Sequence, residues 1–201
     1  LRHSVFDAGS CSGTAASGHN DRLYQPKGYF NEAAMTFEDR LISKFRDRGI
    51  LIDTNILLLY LVGTYDPRRI VSSRRLRSNG YNEDDFALLK SLVARFHSCV
   101  TTPFILTEAY ALLNHDDAIR EGSLRASIEI IPRLKESQPQ SRKICINPKY
   151  LEFGITDSAI IEIGPNYLVL TDDMPLWNYL QHVGITSLNF TQLRGKEWLN
   201  S

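Results

Sequence analysis

Cysteine is scarce in this chain. Three occur in 201 residues, Cys11, Cys99 and Cys145, and none belongs to a C-x-x-C pair. That set speaks against a disulfide framework. Cys99 falls in an apolar, strand-like stretch, so reduced thiols in a cytoplasmic setting are the expectation. Long apolar runs are missing too: the longest, residues 56–62, is far short of the roughly 18 residues that a membrane helix needs. No membrane partner is expected, and no apolar stretch near the N-terminus marks a secretory signal. Net charge is absent, with 23 basic residues against 23 acidic ones, so only local clusters can speak for a polyanionic partner. The five histidines (3, 19, 97, 115 and 182) lack the spacing of a zinc set. His115-Asp116-Asp117 reads as a polar helix end.

What is present is a composition 43% hydrophobic and 23% charged, enough for one well-cored domain. Residues 1–34 differ in texture. From Ser10 to Gly18 they are small, polar and aperiodic, as suits a flexible leader or an appended segment, with Met35 as the natural start and residues 35–201 as a single domain. From there short apolar strands alternate with helices. Strands are expected at 49–53, 98–101, 166–171 and 185–190. Helices are expected at 36–46, 56–62, 86–96, from Thr102-Pro103 onward, 123–135, 154–164, 176–182 and 191–199. Residues 64–80 read as a turn-rich connection. The pattern predicts an α/β fold of three layers, a central parallel sheet of four to five strands flanked by helices.

Four acidic positions stand in apolar surroundings. Asp53 ends the first strand, Glu108 lies inside the helix after the second, Asp157 opens a later helix, and Asp172-Asp173 follow the strand at 166–171. Taken singly, Asp53, Asp157 and the Asp172-Asp173 pair are well explained as helix caps. Glu108 is not, because an unpaired charge among apolar residues is costly and no basic residue lies within a turn of it. Taken together they change the balance. Parallel strands deliver their carboxyl ends to one edge, and carboxylates gathered there repel one another. A hard divalent ion, Mg²⁺ or Mn²⁺, resolves that repulsion through oxygen ligands.

Ile52-Asp53-Thr54-Asn55, the helix-borne Glu108, Thr156-Asp157-Ser158-Ala159 and Leu170-Thr171-Asp172-Asp173, in that order, resemble the PIN-domain nucleases over roughly residues 48–190. The resemblance implies a PIN-like parallel-sheet fold and a metal-dependent endoribonuclease, with Asp53, Glu108, Asp157 and Asp173 as the catalytic, metal-binding set. Asp172 is an alternate ligand, and Asn55, Ser158 and Thr171 are supporting polar positions. It also implies RNA as the substrate, an antitoxin or other protein partner, and a homodimer. A non-catalytic PIN-type module that binds RNA or protein is the alternative. A phosphohydrolase of the haloacid-dehalogenase kind is disfavoured, since Asp53-Thr54-Asn55-Ile56 is not its Asp-x-Asp-x-Thr. The connection at 64–80 is longer than in compact toxin members. It carries Arg68, Arg69, Arg74, Arg75 and Arg77, an attraction for nucleic acid that weighs evenly against a merely solvated loop.

Overall fold

The computed structural model describes residues 36–198, with side chains as far as 195. The expected leader at 1–34 and the start at Met35 lie outside the described residues. Ile50, Leu51 and Ile52 are wholly buried and form β1 (Ile50–Ile52), the middle strand. Such a continuous aliphatic run suits a strand covered on both faces, each side chain contributing roughly 1.5–3 kcal/mol on burial. On one side it pairs with β2 (Cys99–Thr101), on the other with β4 (Leu168–Thr171), Ile50 standing opposite both Cys99 and Leu168. β3 (Lys135–Glu136) and β5 (Ser187–Asn189) are the edges of an all-parallel sheet in the order β3-β2-β1-β4-β5. Helices flank the sheet, so the α/β fold and its layering are as expected.

Helices α1 (Phe37–Phe45), α5 (Pro103–Asn114), α9 (Met174–His182) and α10 (Phe190–Trp198) fall close to their expected places. Thr36 opens α1 with a reciprocal capping box to Asp39, and Thr102 with Pro103 opens α5. α2 (Thr54–Tyr65) is longer than the apolar run that announced it. Its aliphatic residues are buried on every side, as befits a helix enclosed by α4 (Glu83–Val93), α5 and α6 (Arg120–Ile130), while Tyr65 at its end is exposed. Gly63 continues it because the ring of Phe86 lies where a side chain would stand.

Three segments differ from expectation. The connection after α2 is ordered: a 3₁₀ turn (Pro67–Ser72) leads into the short helix α3 (Arg74–Ser78), which Ser73 caps and Leu76 anchors in the core. Residues 123–135 do not make one helix. α6 ends at Ile130, because Pro132 has no N–H to continue it, and the chain then enters β3. Lys135 and Glu136 are exposed and polar, so nothing in their pattern announces a strand; backbone pairing to Val100 and Thr101 makes it one. After the short helix α7 (Ser141–Cys145), α8 (Tyr150–Ile163) starts earlier than expected and is broken at Gly154, whose φ of 72° is left-handed. Among the described residues no helix is long and apolar enough to cross a membrane.

Candidate active site

Where strand order reverses in a parallel sheet, successive connections leave in opposite directions and open a crevice beyond the strand ends. That reversal lies between β1 and β4: the chain steps from β1 to β2 to β3 one way, then returns to β4 and β5 on the other side. The residues just past those two strands are Asp53 and Asp172-Asp173. The acidic motifs therefore flank the point of the sheet where open α/β folds take their ligands.

Asp53 is 4% exposed. One carboxylate oxygen caps α2, accepting the Ile56 N–H at 2.9 Å. The other accepts the Thr171 hydroxyl and the Asp172 N–H, the latter at 3.2 Å. Burial, and next the charge of Asp172, push this carboxyl well above its ordinary range, while its three donors pull the other way. Both oxygens are thus engaged by the protein.

Asp172 is held by three side chains. Asn55 donates to one oxygen at 3.0 Å; Asn79 at 3.0 Å and the Tyr81 hydroxyl at 2.6 Å share the other. Tyr81 is buried, and burial together with the Asp172 charge raises its phenol far above the usual value. Asp173 faces outward, caps α9 through the Leu176 N–H at 2.8 Å, and donates its own N–H to Thr171 at 2.9 Å. Thr171 thereby ties Asp53 to the start of α9.

Glu108 corrects the sequence argument. It is exposed, at the border of the stripe formed by buried Ile105, Ala109 and Leu113, and accepts the Thr54 hydroxyl at 3.0 Å. Burial therefore does not oblige it to meet a cation. Asp157 behaves differently from a cap. It lies in the first turn after the Gly154 break, and among the described residues its carboxylate has no hydrogen-bond partner. Burial first, then the charges of Asp173 and Glu108, push it up to about 7. The acids thus form two groups, Asp53 with Asp172, and Asp157 with Asp173 and Glu108.

Every donor in these groups is a carboxylate oxygen, the kind that suits Mg²⁺ or Mn²⁺, and the mutual repulsion at Asp157 is what a cation relieves. Yet among the described residues no three His, Cys, Asp or Glu side chains stand close enough to hold one ion. The donor chemistry fits, although the side chains do not converge on one point as they stand.

Of the supporting positions, Asn55 and Thr171 join the network. Ser158 does not: it is fully buried and its hydroxyl finds no partner among the described residues. Of the five arginines of this connection, Arg75 is the one tied to the acidic network, through Asn55. Its Nε donates to Asn55 Oδ1 at 2.9 Å, and it borders a cavity of about 330 Å³ with Asn55, Asn79, Asp172 and Asp173. All five arginines are exposed; Arg68 is turned to Asp66 at 3.0 Å, and among the described residues the side chains of Arg69, Arg74 and Arg77 make no hydrogen bond or ion pair. A second cavity of about 610 Å³, among Tyr60, Phe86, Lys90, Cys99 and Arg133, contains no acidic cluster.

Sequence reasoning missed Thr54, Asn79 and Arg194, and the bond from Tyr81 to Asp172. Thr54 adjoins the first motif, and Asn79-Gly80 is a recognisable turn. Nothing local marks Arg194. It ion-pairs at 3.0 Å with Asp85, donates to the Gly80 carbonyl at 2.7 Å and lies over the Tyr81 ring at 5.0 Å. Fold and site together define an α/β protein with carboxylates around the switch-point crevice of its sheet. No protein-family model, curated protein or solved structure matches the chain.

Proposed function

We propose that this protein is a divalent-metal-dependent nuclease that hydrolyses RNA phosphodiesters, of the PIN-like kind that its motifs resemble. The observation that carries this reading is the convergence of Asp53 and Asp172-Asp173 on the switch point between β1 and β4, with the charges of Asp173 and Glu108 bearing on Asp157. Asp53, Glu108, Asp157 and Asp173 would hold the ion, with Asp172 as the alternate ligand. When bound, Mg²⁺ or Mn²⁺ supplies Lewis-acid chemistry, lowering the pKa of water and offsetting charge on the leaving oxygen.

The chain's own residues do the rest. Asn55, Asn79 and Tyr81 fix Asp172, so one carboxylate keeps its place. Thr171 couples Asp53 to the start of α9. Asp157, raised to about 7 by burial and its acidic neighbours, would give up its proton on holding the ion. Arg75 offsets the negative field that would otherwise repel a polyanion.

The test is cleavage of RNA and single-stranded DNA with Mg²⁺ or Mn²⁺, wild type beside Asp53→Asn. Metal-dependent cleavage of RNA, lost in the variant, is expected. Equal activity from the variant, or activity that survives exhaustive chelation, overturns the mechanism. The full engagement of Asp53 and Asp172 by protein donors favours a second reading, a non-catalytic module that binds RNA or protein. RNA binding without cleavage under every divalent ion would favour it. A role as the toxin of a toxin–antitoxin or defence system, with an antitoxin partner and a homodimeric state, rests on the resemblance alone.

A further inference from the structure

Five arginines stand between α2 and α4, and only one is built into the pocket. α3, which carries it, is held in place: Ser73 caps it, Leu76 is buried beneath it, and the Arg74 N–H donates to Asp116 at 2.8 Å. Arg75 then reaches across to the first residues of α2, its Nε fixed by Asn55 Oδ1 at 2.9 Å. Asn55 in turn donates through its Nδ2 to Asp172 at 3.0 Å. An arginine serving merely to neutralise Asp172 would pair with it directly, as Arg68 pairs with Asp66 through two nitrogens at 3.0 and 3.1 Å. Here a neutral amide is interposed. The guanidinium is aimed, keeps its charge, and among the described residues leaves both terminal amino groups without partners.

We infer that Arg75 is the substrate-positioning cation of this pocket. It binds, through its terminal amino groups, the backbone phosphate that lies against Asp172 and Asp173. Arg68, Arg69, Arg74 and Arg77 add only general attraction for the strand. The Arg75–Asn55–Asp172 chain makes the grip on phosphate and the placement of a carboxylate one mechanical unit. This rests on the nuclease reading above, and it assigns to one side chain a role that the arginine cluster as a whole could not distinguish.

The test compares the full chain with Arg75→Gln, Arg75→Lys and Arg69→Gln, and with Arg40→Gln on α1 as a control away from the pocket. Affinity for a fluorescently labelled single-stranded oligoribonucleotide is measured in chelator across a salt series, and kcat and KM are then measured with Mn²⁺. Arg75→Gln should weaken binding on the order of ten- to a hundred-fold and lower the salt slope by about one. Arg75→Lys should recover the slope but not the kcat, because an ammonium cannot bond Asn55 and a phosphate in the same fixed geometry. Arg69→Gln should weaken binding by less than about three-fold at moderate salt. Wild-type affinity in Arg75→Gln, or a loss no greater than that of Arg69→Gln, overturns the assignment. If wild type cleaves RNA and Arg75→Gln is indistinguishable from it, this inference alone fails. If wild type neither binds nor cleaves RNA, the nuclease reading fails with it.

Discussion

Asp157 separates the acidic residues by what holds each of them. Asp53, Asp172 and Asp173 are satisfied by N–H and O–H donors, and Glu108 by a hydroxyl, whereas Asp157 meets only burial and like charge. Its pKa of about 7, against 3.8 for an unperturbed aspartate, ties stability to pH. The folded chain keeps this proton where the unfolded chain has lost it. The contribution of Asp157 to stability is therefore greatest below the unfolded value, declines as pH rises from about 4 to about 7, and is constant above. In metal-free protein, the stability of wild type relative to Asp157→Asn should fall across that window in urea titrations. A pH-independent difference would show that Asp157 is not held in this way. Cys99 offers a second residue-scale check. Burial pushes its thiol up to about 12, so iodoacetamide at pH 8 should spare it in the native chain while modifying the exposed Cys145. Equal labelling of the two would contradict that burial.

α10 acts on the site from a distance. Arg194 joins it to Asp85 at the start of α4 and to the turn that presents Asn79 and Tyr81, both of which grip Asp172. Asp85 is 2% exposed, and its carboxyl is raised by that burial despite Arg194 and the N–H of Asn82. Arg194→Ala would strand this carboxylate and should cost about 3 kcal/mol in chemical denaturation. A loss below about 1 kcal/mol would mean that the latch contributes little to stability. At the entry to β1 the constraint is steric. Gly49 has a φ of 109°, and an added Cβ would lie 2.8 Å from the Ser98 carbonyl oxygen. Gly49→Ala should therefore destabilise by at least about 2 kcal/mol. The opposite result, a neutral substitution, would mean that β1 and β2 can part at that end without penalty.

At the scale of the whole molecule, one topological fact places the chemistry. Strands β1 and β4 are neighbours although more than a hundred residues separate them, and the sheet reverses its order between them. If the proposed ion binds among these carboxylates, its binding and the folding of the chain form a linked equilibrium. Mn²⁺ at a hundred times its dissociation constant should stabilise wild type by about 2.7 kcal/mol, a rise of several degrees in Tm. The rise should be lost in an Asp157→Asn, Asp173→Asn double variant. No metal-dependent rise in wild type, measured by scanning calorimetry, would argue against a resident ion at this crevice.

Local chemistry made much of this legible in advance. The aliphatic run 50–52, the cap-and-proline start at Thr102-Pro103 and the alternation of short strands with helices each depend on neighbours in sequence, and each stands where expected. Asp53 and Asp173 were recognisable as caps for the same reason. What sequence could not decide was contact between distant segments. β3 is a strand only because β2 offers it a hydrogen-bonding edge. Glu108 is exposed because its helix turns other residues to the core, which apolar neighbours in sequence concealed. Tyr81 reaches Asp172 across 91 residues of chain, and Arg194 reaches Gly80 across 114, relations with no local signature. The sequence determined which carboxylates stand at the ends of which elements, because capping and strand formation are local. The tertiary structure decided which of them meet, and which one is linked to Arg75 through Asn55, because strand order and helix packing alone bring those elements together.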